Sequence, residues 1–229
     1  YSEEIISAAQ KALDYQEILN VAGKHEYYHT ALRHEDELND IWAHDVDDIS
    51  WTNNSQKYVG WDAVYGFYVT DLATNIASSL QSANAIDSSI EISDENLGTG
   101  MLWYHMLMSP VVEIAGDGKT AKGLWMSFGT VTGPMGEMSS QWTCESYGID
   151  FIKENGAWKI WHLRTYVYFY CDTDNHWYNA SENTAYSGDS SGNAPAGVGV
   201  TYDENGDQVT GFGTGSTEAD GDGAAQDGD

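Results

Sequence analysis

The sequence predicts an α+β fold in which helices form the first part of the chain and an antiparallel sheet follows. Up to about residue 80, apolar residues recur at the three- and four-residue spacing of amphipathic helices. From residue 101 onward, segments rich in aromatic and β-branched residues are separated by short turns that contain glycine. Helices first and then a run of strands is the order expected of an α+β domain.

The helical part divides into three segments, residues 2–20, 17–44 and 60–80, of which the first two overlap. The first begins with Ser2 and two glutamates, and both features favour a helix start. Its apolar stripe comprises Ile5, Ile6, Ala9, Leu13, Ile18 and Leu19. The second segment is expected to break near Arg33–His34, with a short helix beyond the break.

Four strands are predicted in the second half, at residues 101–114, 120–129, 141–153 and 157–170. The Asn155-Gly156 pair between the last two is a typical turn of an antiparallel hairpin. The two cysteines are too few for a disulfide framework or a cysteine-based zinc site.

The charge of the chain excludes some classes of partner. Its 229 residues include 36 acidic and 9 basic side chains, for a formal net charge of −27. Nucleic acids and anionic membrane surfaces are therefore not expected to bind, because both need clustered Lys and Arg. No apolar run approaches the roughly 20 residues that span a bilayer. The compartment is left open, with the cytoplasm favoured.

The acidic residues are unevenly distributed along the chain. Residues 186–229 hold nine of them and no Lys or Arg. We therefore predict a core domain over residues 1–180 and an acidic, Gly-rich tail over residues 181–229. Within that tail, residues 198–213 alternate in polarity around an Asn-Gly pair and are expected to form a small hairpin.

Four segments occur in an order that is characteristic of one family: YYHTALRHEDELNDIWA (27–43), SWTNNSQKYVGWDAV (50–64), PVVEIAGDGKTAKGLW (110–125) and YGIDFIKENGAWKIWHL (147–163). Over roughly residues 4–178, the chain resembles the SnoaL-like branch of the nuclear transport factor 2-like superfamily. The resemblance implies a cone-shaped, curved mixed sheet, closed on one side by N-terminal helices around an apolar pocket. It also implies a homo-oligomer, a dimer or a trimer, because relatives usually form one.

The last predicted strand offers two candidate catalytic residues. With a period of two, Trp158, Ile160, His162, Arg164 and Tyr166 share one face. If that face lines the pocket, His162 can move protons, Arg164 can stabilise a developing oxyanion, and Tyr166 contacts the substrate. The alternative is that Arg164 forms an outward or interfacial salt bridge.

His105 is the candidate general base. It is the only His, Asp, Glu, Lys or Arg between positions 96 and 112, and alternation places it on the same face as Trp103. The alternative is an ordinary core histidine. The resemblance favours function, because dehydratases and lyases of the superfamily carry a basic histidine on the equivalent strand. Several relatives also carry an Asp in the first helical region, which is missing from Thr30-Ala31-Leu32 here, so that Glu145 and Glu113 are candidate replacements.

The helical half contributes further candidates. The resemblance implies that Tyr28 holds the substrate oxygen and that His29 lines the pocket. The segment 50–61 offers Trp51, Asn54 and Tyr58 for the mouth of the site. Its simpler interpretation, which we prefer, is a connector between helices with Trp51 anchored in the core.

His25-Glu26-Tyr27-Tyr28-His29 is a literal H-E-x-x-H sequence, which on a helix can bind zinc through both histidines with Glu26 as the general base. The extended form of that motif wants Gly at position 32 and His at position 35, where this chain has Leu32 and Glu35. A zinc hydrolase is therefore a minor alternative, and no metal or other cofactor is expected.

The sequence thus predicts a cofactor-independent lyase, dehydratase-like or retro-aldol-like, or an isomerase. Its substrate is expected to be a hydrophobic, aromatic, hydroxylated small molecule. His105 would move the proton, His162 would be its acid partner, and Tyr28 and Arg164 would hold the oxygen. The rival is a non-catalytic binding or assembly module. Convergence of His105, His162 and Arg164 on one cavity is what distinguishes the enzyme from the module.

Overall fold

In the computed structural model, the described residues are 2–53, 56–132, 139–174, 201–202 and 208–209. Its helices are α1 (Glu3–Thr30), α2 (His34–Ile41), α3 (Trp61–Tyr65) and α4 (Leu72–Ile86). A π-helical segment, Gly66–Asp71, joins α3 to α4, and a short 3₁₀ turn follows at Asp94–Asn96. None of the described helices combines the length and the apolar character that a membrane crossing requires.

The main sheet has six strands, β1 (Ser50–Thr52), β2 (Lys57–Val59), β3 (Trp103–Ile114), β4 (Thr120–Thr132), β5 (Ser140–Glu154) and β6 (Ala157–Asp172). Their spatial order is β2-β1-β6-β5-β4-β3, and the sheet is curved and unclosed. Only the pairing of β1 with β6 is parallel, so the sheet is mixed. The α+β class and the curved mixed sheet predicted from the sequence are confirmed.

Two further short strands, β7 (Thr201–Tyr202) and β8 (Gln208–Val209), pair with each other in antiparallel fashion. They fall within the predicted hairpin at 198–213, whose other residues lie outside the described part of the chain. The division into a domain over 1–180 and a tail over 181–229 stays a prediction.

The first helix is longer than the predicted 2–20, and it ends where the sequence predicts a break. Leu32 adopts a positive φ of 56°, and α2 starts two residues later at His34. The N-terminal half of the apolar stripe is not buried, because Ile5, Ile6 and Leu13 are each more than half exposed. Burial begins at Asp14 and Ile18, where α1 reaches the sheet.

Asp14 fixes α1 to the hairpin formed by β5 and β6. Its Oδ1 atom accepts hydrogen bonds from Lys153 Nζ at 2.5 Å and from Trp158 Nε1 at 3.1 Å. Burial alone would raise the pKa of Asp14, but these donors lower it below its ordinary value. Across the same hairpin end, Glu154 accepts the backbone N–H groups of His44 and Asp45. These contacts hold the helices over the inner face of the sheet.

The segment 50–61 is more than a connector. It contains β1 and β2, which pair with each other, and β1 also pairs with β6. The segment does join α2 to α3, as predicted, but it also forms two strands of three residues each, and one of them is completed by a partner more than 100 residues away. The prediction that Trp51 is anchored in the core is confirmed, since it is 8% exposed and stacks on Phe67 at 4.2 Å.

Candidate active site

Four histidines meet where α1 and α2 cover the inner face of the sheet. The ring of His29 lies 5.6 Å from that of His25, 5.0 Å from that of His34 and 5.6 Å from that of His105. Nε2 of His34 is 3.2 Å from Nδ1 of His29, within hydrogen-bond distance. We call these four residues the histidine cluster.

Three different elements supply the cluster. His25 and His29 are four residues apart on α1 and therefore share a face of the helix. His34 is the first residue of α2, and His105 lies on β3. Alternation along β3 turns Trp103 and His105 inward together, as the sequence predicts, and Trp103 stacks on His29 at 5.4 Å.

His105 faces a carboxylate that comes from β5. Its Nδ1 atom is 3.6 Å from Oε1 of Glu145, which is 2% exposed. The same oxygen accepts hydrogen bonds from Thr143 Oγ1 at 2.7 Å and from Tyr170 Oη at 2.9 Å. Nδ1 of His105 is buried and makes no hydrogen bond within the described residues. The carboxylate is thus held in place while the imidazole beside it keeps an open position.

The strand register explains how His105 reaches Glu145. His105 is paired with Gly129 on β4, and Gly129 is paired with Thr143 on β5. A Cβ atom on Gly129 would lie 1.9 Å from the carbonyl oxygen of Tyr104, so a larger residue does not fit there. The inner row therefore carries no side chain between His105 and β5.

A second histidine–carboxylate pair lies on the helical side. Nδ1 of His25 is 2.8 Å from Oε1 of Glu37, which also accepts Trp42 Nε1 at 3.1 Å. His25 is 1% exposed and Glu37 is fully buried. A buried pair of this kind holds the imidazole in one orientation and favours its charged form.

The two pairs differ in the protonation of their histidine. Burial would lower the pKa of His25, but Glu37, with Glu26 and Glu145, raises it above the ordinary value. For His105, burial outweighs the effect of Glu145, and its pKa falls. Near neutral pH, His25 therefore tends toward the imidazolium form and His105 toward the neutral imidazole.

The two other histidines and the tyrosines of the site are uncharged near neutral pH. Burial and the neighbouring histidines place the pKa of His29 well below its ordinary value, and burial lowers the pKa of His34 to about 4. Burial also raises the phenol pKa values of Tyr68, Tyr147 and Tyr170 well above their ordinary range. Neutral imidazoles and phenols are donors or acceptors without net charge.

The predicted inward placement of His162, Arg164 and Tyr166 is wrong. The register of β5 with β6 shifts where Asp150 pairs with His162 and Phe151 pairs with Ile160. The extra residue, Trp161, reverses the alternation, so that Ile160 and Leu163 are in the core. His162 instead contacts Asp150 at 3.0 Å and stacks on Trp161, away from His105. Arg164 and Tyr166 follow His162 on the outer face, opposite Gly148 and Ser146.

Tyr28 also lies outside the histidine cluster. Its hydroxyl donates to Asp40 Oδ2 at 2.9 Å, and the guanidinium of Arg33 lies 5.7 Å from its ring. The hydroxyl of Tyr28 is thus bonded to α2 at Asp40 and is not one of the polar groups of the histidine cluster. The predicted role of Tyr28 in holding a substrate oxygen is not compatible with this position.

The other predicted contacts lie at different distances from the cluster. His29, Trp103 and Glu145 belong to the site as described above. Trp51 and Tyr58 flank Phe67 in an aromatic stack whose nearest link to the cluster is Tyr68, 6.2 Å from Trp51. Asn54 lies outside the described residues.

The H-E-x-x-H sequence is helical, with His25 and His29 on one face, but the site does not fit the zinc motif. One ring nitrogen of His25 is engaged by Glu37 and one of His29 by His34. Over residues 2–53, 56–132 and 139–174, no group of three or more His, Cys, Asp or Glu is arranged to hold a metal ion. The described part of the chain therefore provides no third ligand for a zinc centre.

Several residues of the site have no local signal in the sequence. Glu37 is twelve residues from His25, which is too far for a contact along one helix. It reaches His25 only because the chain reverses direction at Leu32. Tyr170 faces inward because a second register shift, between Cys144 and Glu145, changes the alternation near the end of β6. The acidic residue that is missing after Tyr28 is a usable signal, since it directs attention to other buried acids such as Glu145.

The comparisons with known proteins agree with this fold. A family model of the SnoaL-like domain matches residues 10–164, which is more than half of the chain. The chain therefore belongs to this SnoaL-like family. No curated protein matches it.

Two solved structures are similar in fold. The first is the hexachlorocyclohexane dehydrochlorinase LinA-type3 from Novosphingobium barchaimii LL02, with a TM-score of 0.54, 13% identity, and coverage of 74% of this chain and 96% of that one. The second is a candidate scytalone dehydratase from Novosphingobium aromaticivorans DSM 12444, with a TM-score of 0.51, 12% identity, and coverage of 74% and 93%. At these identities the likeness concerns the fold.

Proposed function

We propose that this protein is a cofactor-independent lyase that removes water, or a comparable small group, from a hydrophobic, aromatic, hydroxylated molecule. The observation that carries the proposal is the buried His105–Glu145 pair, in which a fixed carboxylate lies 3.6 Å from an imidazole nitrogen that has no hydrogen bond in the described chain. Such a pair is suited to general base catalysis. The names of the two similar structures, a dehydrochlorinase and a dehydratase, point to the same class of reaction.

The first step is proton abstraction from carbon by His105. The imidazole is neutral at working pH because burial lowers its pKa. Once protonated, it carries a charge that the adjacent Glu145 stabilises. Thr143 and Tyr170 donate to Glu145 and so act as positioning residues. The same first step serves isomerisation and carbon–carbon cleavage, and the fate of the resulting carbanion determines which product forms.

The proposed substrate class follows from what surrounds His105. Aromatic rings of Trp103, Tyr68 and Tyr147 lie around the histidine cluster and suit a flat, apolar ring. The carboxylates of Glu37 and Glu145 are buried there. They oppose an anionic ligand by electrostatic repulsion. A neutral molecule is therefore preferred.

The convergence that the sequence predicts for the enzyme is not observed, since His162 and Arg164 lie on the outer face of the sheet. That result favours the rival, a binding or assembly module. We nevertheless retain the enzyme, because the buried His105 lies beside the carboxylate of Glu145, which Tyr170 holds in place, and a purely apolar binding site does not need such a pair. Burying unpaired polar groups is costly, and their presence calls for a chemical role.

The proposal is tested with a panel of neutral benzylic alcohols and aryl β-hydroxyketones, in which elimination creates a conjugated double bond that absorbs ultraviolet light. We expect turnover of at least one compound and a loss of about 100-fold or more in His105→Asn. The matched control is His44→Asn, because His44 is exposed and away from the cluster. Calorimetric binding without turnover, or equal activity in His105→Asn, would establish the binding module instead.

We further propose that the protein is a homo-oligomer that associates through the outer face of β3 and β4. Met106 is paired with Phe128 and Met108 with Met126, so these side chains form one patch, and each is more than one third exposed. Tyr104 extends the patch. In a chain with a net charge of −27, an uncharged apolar face is where a second copy can approach without repulsion.

A further inference from the structure

Glu26 is a buried acid that neither the fold nor the His105–Glu145 pair explains. Its side chain is 14% exposed, and neither carboxyl oxygen makes a hydrogen bond within the described residues. A buried carboxylate without a hydrogen bond is strongly unfavourable, whereas the protonated form is much less so. The position of Glu26 therefore favours a carboxylic acid that holds its proton.

The ionisable groups that face Glu26 come from four elements, and they include the phenols of Tyr68 on the π-helical segment and of Tyr147 on β5. On its own helix, His25 Nε2 lies 3.8 Å from Glu26 Oε1. From α2, Glu37 bonds the other nitrogen of that same ring at 2.8 Å. From β5, Glu145 is close enough to act on Glu26 through its charge. Glu26 thus lies beside a histidine that can deliver a proton, and within electrostatic range of the carboxylate next to His105.

The electrostatics of these neighbours agree with the geometry. Burial, reinforced by the charges of Glu145 and Glu37 and opposed by that of His25, raises the pKa of Glu26 to about 7. A group with a pKa near the working pH can both give and regain a proton readily. Two titratable groups of one site whose environments drive their protonation apart are the usual acid and base of a reaction.

We propose that Glu26 is the proton donor of this site and that the His25–Glu37 pair returns the proton to it. The inference rests on the proposed function, which supplies the reaction but assigns no donor. Glu26 takes the role of acid partner that the sequence assigned to His162, because His162 lies on the outer face of the sheet. It also gives a role to the H-E sequence that does not require a metal.

The elimination balances as follows. His105 takes a proton from carbon, and the electron pair of that carbon–hydrogen bond forms the new double bond. The carbon–oxygen bond breaks, and its electron pair leaves with the hydroxyl oxygen, which receives the proton of Glu26 and departs as water. His25 then protonates Glu26, and the proton held by His105 returns through solvent to His25.

The stored proton can be observed without any substrate. Infrared spectra of the full chain, recorded from about pH 5 to pH 9, should contain the carbonyl band of a buried protonated carboxyl group, with a midpoint near the raised pKa. We expect Glu26→Gln to remove this band and Glu17→Gln to leave it unchanged. Glu17 lies on the same helix and is exposed. The absence of a Glu26-dependent band overturns the proposal whatever the activity of the protein.

The donor role is tested with two probes that share one carbon skeleton and differ in the leaving group, hydroxide in one and chloride in the other. Chloride needs no proton to leave. We therefore expect Glu26→Gln to slow loss of water about 100-fold and loss of chloride less than about threefold, whereas His105→Asn impairs both. Equal impairment of both reactions by Glu26→Gln would reject the donor role and leave the lyase in place. Unimpaired His105→Asn would instead reject the proposed lyase.

Discussion

Nδ1 of His105 and Oε1 of Glu145 lie 3.6 Å apart across an inner row of the sheet whose middle position is Gly129. The gap is too long for a hydrogen bond, so the buried imidazole nitrogen stays open. Two donors fix the carboxylate, and burial keeps the imidazole neutral. This arrangement holds a base next to the group that stabilises its conjugate acid.

Replacing Glu145 with Gln is expected to lower the pKa of His105 further, because the carboxylate is the group that raises it against burial. Proton abstraction should slow by about 10- to 100-fold, since the imidazolium loses its counter-charge. NMR titration of histidine labelled with ¹⁵N measures the pKa, and the probe panel measures the rate. Glu95→Gln, at an exposed position, is the control. An unchanged His105 titration would show that the two groups are not coupled.

His162→Asn is expected to keep turnover within about threefold of the unmodified chain, because His162 contacts Asp150 and Trp161 on the outer face. The measurement is the same probe assay, with circular dichroism to confirm folding. A loss of turnover as large as that of His105→Asn would mean that His162 lies on the inner face of the sheet and not on the outer one.

Glu26→Gln is expected to stabilise the fold above neutral pH. In the folded state the pKa of Glu26 is raised from its ordinary value of 4.5 to about 7. Between these two pH values, the folded protein therefore binds more protons than the unfolded chain. The free energy of unfolding of the protein therefore falls as the pH rises through that window. Glutamine does not titrate, so the variant keeps the stability that the unmodified chain loses. The gain should be on the order of 1–3 kcal/mol at about pH 8 and vanish toward pH 4.5.

Urea unfolding of both proteins at several pH values measures this difference. Glu17→Gln serves again as the exposed control on the same helix. A gain that does not depend on pH would indicate that Glu26 is charged, or solvated, over the whole range.

Met106→Glu is expected to reduce the oligomer to a smaller species, because it places a negative charge within the apolar patch of each copy. Light scattering coupled to size-exclusion chromatography measures the mass. Ile86→Glu is the control, since Ile86 is 73% exposed but lies on α4, outside the patch. An equal effect of both substitutions, or a monomeric starting protein, would contradict association through β3 and β4.

Chelation is expected to leave the thermal unfolding midpoint unchanged, since no described group of three ligands is arranged for a metal ion. Metal analysis of the purified protein checks the same point. Stoichiometric zinc that is lost in His25→Ala, and kept in His44→Ala, would contradict this expectation and revive the zinc hydrolase.

Much of the architecture follows from local patterns in the sequence. Turn residues and alternation of apolar residues predict β3 to β6 within about three residues at each end. The helix break near Arg33–His34 and the Asn155-Gly156 hairpin are likewise local, because a few neighbouring residues decide the backbone there. β1 and β2 could not be predicted in this way, because such short strands form only through pairing with a distant strand.

The candidate site is only partly local. Alternation correctly turns Trp103 and His105 to the same inner face, because β3 is regular over those residues. The same argument fails for His162 and Arg164, because one extra residue at Trp161 reverses the face. In a strand with a period of two, a single inserted residue moves every following side chain to the opposite face. The amino-acid composition around Trp161 gives no sign of this insertion.

The sequence by itself therefore determined the fold class, the order of the long strands β3 to β6 and the histidine on β3. Only the tertiary structure decided which acids meet which histidines, because Glu37 reaches His25 through the reversal at Leu32 and Glu145 reaches His105 through the register of three strands. Local propensities depend on neighbours along the chain, whereas proton chemistry depends on neighbours in space.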